Sequence, residues 1–270
     1  MTGVAWEIGV LTGLAAAGVD LTDADLVVGT SAGSVVGVQV AAGLDLEDMY
    51  TAQLAEPRSE IAARLGLSTL LRWGWASVSG RDVQKARARI GAMALAARTV
   101  PEAERRAVIE SRLPVREWPA RRLLITAVDA RSGEFVVFDR NSGVGLVDAV
   151  GASCAVPGVW PPVTINGRRY VDGGVRSAAN ADLAAGYDRV VVIAPVVGGA
   201  RPVSSVAGQA ARLDGRVVVV APDRAAKRAF GRNLLDPARR APAARAGRAQ
   251  AAGEASRIRQ VWASDGPHGT

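Results

Sequence analysis

Residues 26–34 read Leu-Val-Val-Gly-Thr-Ser-Ala-Gly-Ser, and this stretch decides the fold class. The three apolar residues before Gly29 are typical of a short, buried parallel strand. Ala32 to Ala42 has the pattern of a helix that ends near Gly43. A Gly-x-Ser-x-Gly motif between a strand and a helix indicates a sharp turn that exposes the serine hydroxyl. The stretch therefore predicts an α/β protein with Ser31 at the apex of that turn.

The residues around Ser31 suit a nucleophile. Gly29 and Gly33 are expected to avoid clashes between the strand and the helix. The amide of Ala32, at the helix N-terminus, is expected to point toward any oxyanion that forms, and the helix dipole assists it. A purely structural turn is the alternative, which the motif alone does not exclude.

The rest of the chain alternates between helix and strand patterns, which predicts a mostly parallel sheet covered on both faces. Residues 4–17 have helical spacing and end at Gly18, and residues 44–118 are mostly helical, with a helix start near Ser79. The strand patterns, including a hairpin over 163–171 that turns at Asn166-Gly167, fall at 123–127, 135–138, 163–171, 190–194 and 217–221.

The length of 270 residues suits one domain, for which we predict residues 1–222 with a helical insertion or cap at 44–118. Residues 223–270 form a basic, Arg/Ala-rich C-terminal segment. From Arg201 to Thr270 there are 13 basic and 5 acidic residues. Such a charge favours peripheral contact with an anionic membrane, and a solvated helical tail is the alternative. Aromatic residues are not interleaved with the basic ones, so nucleic-acid binding is not expected.

The sequence predicts a cytoplasmic protein that is membrane-peripheral at most. Cys154 is the only cysteine and lies among small residues, which favours a packed, inert thiol. Neither a signal peptide nor an uninterrupted apolar run of membrane-spanning length is visible. No cofactor or metal is expected, because the acidic residues between 23 and 48 lack a metal-loop pattern.

Activation of Ser31 requires a base, and the sequence offers two kinds. His268 is the only histidine and lies three residues from the end of the sequence, so a Ser-His-Asp triad is disfavoured. Asp172 directly follows a strand pattern and precedes Gly173 and Gly174, which allow a tight turn beside a neighbouring group. Asp-Gly-Gly alone is also ordinary turn chemistry.

Several motifs together resemble the patatin-like phospholipase family. They are Gly-Thr-Ser-Ala-Gly-Ser at 29–34, Ala-Ser at 152–153 with Ala155 and Pro157, Trp-Pro-Pro-Val at 160–163, and Asp-Gly-Gly at 172–174. Residues 3–18 and 180–195 are also similar to that family. The resemblance implies a three-layer α/β/α fold and a Ser31–Asp172 dyad that cleaves lipid-type esters through an acyl-enzyme. The implied substrate is a phospholipid, a lysophospholipid or a simpler carboxylic ester.

The sequence departs from the family at its beginning. Members usually start with a strand and a glycine-rich loop whose amides form the oxyanion hole, and here Met1-Thr2-Gly3 aligns with only the last three loop positions. We therefore expect the first strand and its glycines to be encoded upstream of Met1. The rival hypothesis is a catalytically impaired protein of the same fold that binds lipid or a partner. Residues 65–75, with two tryptophans, are interpreted as core, with an acyl-chain channel as the alternative.

Overall fold

The computed structural model describes residues 1–56, 82–198 and 202–263. The helices are α1 Thr2–Ala16, α2 Ala32–Ala41, α3 Leu46–Leu54, α4 Val83–Ala96, α5 Glu102–Arg112, α6 Leu146–Ser153, α7 Val206–Ala210, α8 Arg224–Phe230 and α9 Arg240–Trp262. The strands are β1 Leu26–Gly29, β2 Arg122–Asp129, β3 Phe135–Phe138, β4 Val163–Ile165, β5 Arg168–Asp172, β6 Arg189–Ile193 and β7 Arg216–Val220. Within these ranges, every helix is too short or too polar to cross a bilayer.

The predicted α/β class is confirmed, and most element positions agree with their sequence patterns. Gly18 and Gly43 follow α1 and α2 with φ of 77° and 74°, as expected of glycines that end helices. The helix start predicted near Ser79 lies outside the described ranges; within them, Asp82 caps α4 by accepting from the Lys85 amide at 3.0 Å.

The sheet is more mixed than the mostly parallel sheet that the sequence predicts. β1 pairs with β2 and β6 with β7 in parallel, whereas β3 and β5 pair antiparallel with β2, and β4 with β5. Two hairpins account for the β2–β3 and β4–β5 pairings, because tight turns can join only antiparallel strands, and the antiparallel β2–β5 pair joins the second hairpin to the sheet. One turns at Gly133 (φ 70°) and the other at the predicted Asn166-Gly167, where both residues have positive φ.

Helices cover both faces of the five-stranded sheet. Successive β2 side chains point to opposite faces, as in any strand. Leu123, Ile125 and Ala127 join a core with residues of α2, α5 and α6. On the other face, Val128 packs with Ala94 of α4. This arrangement agrees with the three layers that the resemblance implies.

The register along β2 brings the ends of β1 and β5 together. Gly29, the last residue of β1, pairs with Ile125, and Asp172, the last residue of β5, pairs with Ala127. β1 approaches this point in parallel with β2 and β5 approaches it antiparallel. Residues that follow either strand therefore meet beside Thr126.

The C-terminal segment is part of the core. Helix α9 lies along α1 so closely that a Cβ on Gly9 would meet the Ala244 carbonyl oxygen at 2.1 Å, and one on Gly247 would meet the Trp6 carbonyl oxygen at 2.3 Å. Ala251 and other small residues of α9 are buried in this contact. The alanines of this segment make an apolar face, which the Arg/Ala composition concealed.

An open groove separates the two sheets. In the described residues, β1 pairs only with β2 and β6 only with β7, so each strand has one free edge. Both strands line one cavity of about 1380 Å³. Gly3 lies at one end of this groove, where an added Cβ would contact Ala32 at 3.1 Å and Pro195 at 3.2 Å. Because Ala32 and Pro195 follow β1 and β6 respectively, both strands end at the Gly3 end of the groove.

Candidate active site

Ser31 occupies a strained position at the end of β1. Its φ of 52° and ψ of −116° are rare for a residue with a side chain, and the strain marks a site where the surrounding structure fixes the backbone. The Ser31 amide donates to Ser153 Oγ at 2.9 Å. The Ser31 carbonyl oxygen accepts from Ser34 Oγ at 2.6 Å and from Cys154 Sγ at 3.2 Å. These three contacts hold the peptide groups on both sides of the serine.

Cys154 is buried and packed, as its sequence neighbours indicate. Burial raises the pKa of its thiol, and the nearby Asp172 carboxylate raises it further. The thiol therefore remains protonated and can donate to the Ser31 carbonyl. This contact gives the thiol a structural role at the elbow.

Gly29 and Gly33, the two glycines of the elbow, differ in whether a side chain could be accommodated. A Cβ on Gly29 would meet Ser34 Cα at 2.6 Å and the Gly33 carbonyl oxygen at 2.8 Å, so no side chain fits there. A Cβ on Gly33 would meet nothing nearer than Glu7 Oε1, at 3.7 Å. The expected role in avoiding strand–helix clashes thus falls on Gly29.

Asp172 is buried at the end of β5 and lines the same cavity as Ser31. The Gly174 amide donates to Asp172 Oδ1 at 2.7 Å. Burial raises the pKa of Asp172 to about 6, while the Ser31 side chain and the Gly174 amide act in the opposite direction by stabilising the ionised carboxylate. Gly173 is wedged against Thr126, since a Cβ there would lie 2.2 Å from Thr126 Oγ1.

A buried polar network fixes the two strand ends to each other. Thr30 Oγ1 and Thr126 Oγ1 are 2.8 Å apart, and the Asn180 side-chain amide donates to both, at 2.9 and 3.2 Å. The same amide donates to the Ser177 carbonyl at 3.0 Å. Sequence reasoning missed Asn180, whose only local signal is a residue type that tolerates the left-handed conformation it adopts, with φ of 49°.

The expected oxyanion donors belong to the first turns of α1 and α2. Ala32 is the first residue of α2, so its amide is among those without an intrahelical acceptor. Gly3 adjoins Ala32 at the groove end. Thr2 directs both of its donors elsewhere: its amide and hydroxyl donate to the Leu234 carbonyl oxygen at 3.2 and 3.0 Å.

Glu7 is a second buried carboxyl group in the cavity wall. It lies one turn after Gly3 on α1, is 5% exposed, and its Oε2 has no hydrogen-bond partner. Burial raises the pKa of Glu7 to about 8, so the group is mostly protonated at neutral pH. No motif drew attention to Glu7, since a single Glu in a helical pattern ordinarily reads as surface.

Other candidate residues lie beyond what the structure describes. His268 and the tryptophan-containing stretch 65–75 fall outside the described ranges. Within those ranges, no three His, Cys, Asp or Glu side chains form a cluster that suits a metal ion.

Fold and site together define an α/β protein with a serine at a strand-to-helix elbow and a buried aspartate in the same cavity. A family model described as patatin-like phospholipase matches residues 1–185. The chain belongs to this family. No curated protein sequence matches the chain.

Two solved structures that match are similar only at low identity. The type III effector ExoU is 16% identical with a TM-score of 0.41, and the match covers 95% of this chain and 51% of that one. VipD from Legionella pneumophila is 12% identical with a TM-score of 0.35, and the match covers 64% of this chain and 44% of that one. The chain thus spans about half the length of either protein.

Proposed function

We propose that the protein is a serine acyl hydrolase that cleaves lipid-type carboxylic esters with Ser31 as nucleophile and Asp172 as general base. The observation that carries this proposal is that Ser31 lines the same cavity as a buried Asp172, whose pKa burial raises to about 6 while the Ser31 side chain acts to lower it. A free aspartate, with a pKa near 3.9, is a weak base at neutral pH. The raised value brings Asp172 closer to the working pH while leaving most of it ionised at pH 7.

In each step a proton is transferred to or from Asp172. Ser31 Oγ attacks the ester carbonyl while its proton moves to Asp172, and the resulting oxyanion faces the Ala32 and Gly3 amides. Collapse of this intermediate releases the alcohol, which takes the proton from Asp172, and leaves an acyl-enzyme. Water then attacks the acyl group with Asp172 again as base, and Ser31 recovers its proton.

The groove between β1 and β6 could hold a further strand, whose following loop would add oxyanion donors to the site. We propose that the groove receives an extended strand parallel to both, and that the loop after that strand supplies further amides near Gly3. Two free strand edges that line one cavity support this proposal. A chain extended before Met1 by such a strand and loop should label faster with a fluorophosphonate; an unchanged labelling rate would count against the idea.

Labelling and turnover test the dyad directly. Ser31→Ala and Asp172→Asn should lower turnover of a short-chain p-nitrophenyl ester by roughly three orders of magnitude, because the dyad acts as a unit. Ser256→Ala, at an exposed serine of α9, is the matched control and should retain full activity. Loss of activity after deletion of residues 266–270 would instead assign the base to His268.

The rival function is lipid or partner binding without catalysis. The engagement of both Thr2 donors by Leu234 favours it, because it leaves fewer amides for an oxyanion. If the extended chain neither hydrolyses the ester nor reacts with the fluorophosphonate, the binding function is the correct one.

A further inference from the structure

Large apolar side chains are exposed around the Ser31 end of the groove. Among the described residues, the exposed large hydrophobic side chains are Val83, Leu95, Val196, Val197, Val203 and Leu234. Val196 and Leu234, which are 49% and 39% exposed, line the same cavity as Ser31, and Val197 follows directly at 42%. Exposed apolar residues grouped at a cavity opening indicate an interaction surface.

Contacts with the start of α1 bring these side chains together from two separate loops. The Leu234 carbonyl oxygen accepts two hydrogen bonds from Thr2. The neighbouring Gly3 packs against Pro195, directly before Val196. The loops after β6 and after α8 therefore flank one opening, which we call the mouth face: Val196, Val197 and Leu234 with the adjoining α8 and residues 231–235.

The mouth face is also cationic. Arg224, Lys227, Arg228 and Arg232 are exposed, and within the described residues none of them forms an ion pair. Helix α8 buries Ala226 and Phe230 on its inner side, which leaves its basic side chains facing outward.

The basic residues of α9 differ from those of α8. Arg248 pairs with Glu47, and Arg257 pairs with Glu254. These two ion pairs neutralise two of the five arginines of α9. The four exposed cations of the mouth face, in contrast, form no ion pair within the described residues.

We propose that the mouth face docks on an anionic lipid surface. Leu234, Val196 and Val197 enter the boundary of the acyl region, and the four cations lie at the level of the head groups. Exposed apolar side chains beside unpaired cations are complementary to a membrane surface, in which anionic head groups cover an apolar acyl region. The proposal rests on the proposed hydrolysis in one respect: docking here presents the groove opening, and hence Ser31, to the lipid.

Vesicle binding tests the docking without catalysis. The Ser31→Ala chain is sedimented with vesicles of phosphatidylcholine alone or of phosphatidylcholine mixed with phosphatidylserine. We expect binding to the mixed vesicles, reduced roughly 25-fold by Lys227→Gln/Arg228→Gln, since each basic residue near such a surface contributes about fivefold. Arg98→Gln/Arg131→Gln removes two exposed charges elsewhere and should change binding less than about twofold.

A separate variant tests the contribution of the apolar side chains of the mouth face. Leu234→Ser should weaken binding to mixed vesicles severalfold while the melting temperature stays near that of the parent chain. Equal losses in the two charge pairs, or binding that ignores phosphatidylserine, would overturn the proposal. Hydrolysis of a soluble ester by the Ser31-containing chain is measured separately. Docking without hydrolysis refutes the proposed function alone, and hydrolysis without docking refutes only the mouth face.

Discussion

At the scale of single residues, burial controls the chemistry of this site. Asp172 and Glu7 line one cavity, and withdrawal from water raises the pKa of both, yet only Asp172 has hydrogen-bond donors that stabilise its charged form. At pH 7 the two carboxyl groups therefore differ: Asp172 is mostly ionised and Glu7 mostly protonated. This difference leads to two separate predictions.

The first prediction concerns the pH dependence of hydrolysis. A general base works only when deprotonated, so kcat/KM for a p-nitrophenyl ester should rise between pH 5 and pH 7 and reach half its plateau near pH 6, the raised pKa of Asp172. Measured initial rates over this range check it. A profile that is flat down to pH 4.5 would show that Asp172 is not the base.

The second prediction concerns stability and Glu7. The pKa of Glu7 is about 8 in the folded chain against 4.5 for the free group, so its contribution is fully present below pH 4.5 and is lost as pH rises through 8. Between pH 5 and 7.5, wild type should lose on the order of 3 kcal/mol of unfolding free energy relative to Glu7→Gln.

Urea unfolding of both proteins at several pH values measures this difference. Glu117→Gln removes an exposed carboxylate and serves as the control, for which the wild-type pH dependence should persist. If Glu7→Gln follows the wild-type curve throughout, the carboxyl group is solvated and the cavity wall differs from the structure described.

At the scale of elements, the site depends on how closely α1 lies against α9. At Gly9, Gly13 and Gly247 the two helix backbones lie so close together that an added methyl group would clash with the other helix. This contact positions the start of α1, and therefore Gly3 and Glu7, relative to the elbow. Helix α9 thus supports the Ser31 end of the groove through α1, and its Arg259 and Trp262 line the same cavity.

Two glycines of α9 give a matched test. Gly247→Ala places a methyl group 2.3 Å from the Trp6 carbonyl oxygen, so the helices must separate, at a cost of about 2–3 kcal/mol. Gly253→Ala meets nothing within 4 Å and should stabilise the chain by roughly 0.5–1 kcal/mol through helix propensity. Thermal unfolding compares the two, and equal effects would contradict the close contact.

At the scale of the whole molecule, helices α8 and α9 of the C-terminal segment pack into the same core as α1. Trp6 packs edge-on against Phe230 of α8 at 6.2 Å and donates to Gln250 of α9 at 3.2 Å. Gln250 in turn donates to the Ala221 carbonyl at 2.7 Å. Three regions of the chain are thereby joined around one tryptophan.

Truncation tests this integration. A chain that ends at Pro222 loses α8 and α9 and exposes the buried face of α1, so it should show no cooperative thermal transition and should aggregate. A chain that ends at Ala263 keeps both helices and should melt as the full chain does. A cooperative transition in the shorter chain would support the domain boundary predicted at residue 222.

The sequence by itself determined the α/β class, the elbow at Ser31, the Asn166-Gly167 hairpin and the helix ends at Gly18 and Gly43. Each of these depends on residues close together in the chain, whose backbone conformations are limited locally. It also pointed to Asp172, but only through resemblance, because Asp-Gly-Gly alone is turn chemistry.

Only the tertiary structure decided the mixed pairing of the sheet, the Asn180 network, the protonated Glu7 and the place of α9 in the core. Asn180 lies 150 positions from Thr30, and α9 lies more than 220 positions from α1. Such contacts depend on which surfaces meet after the chain has folded, and local periodicity carries no information about them. The burial that sets the pKa of Glu7 arises in the same way.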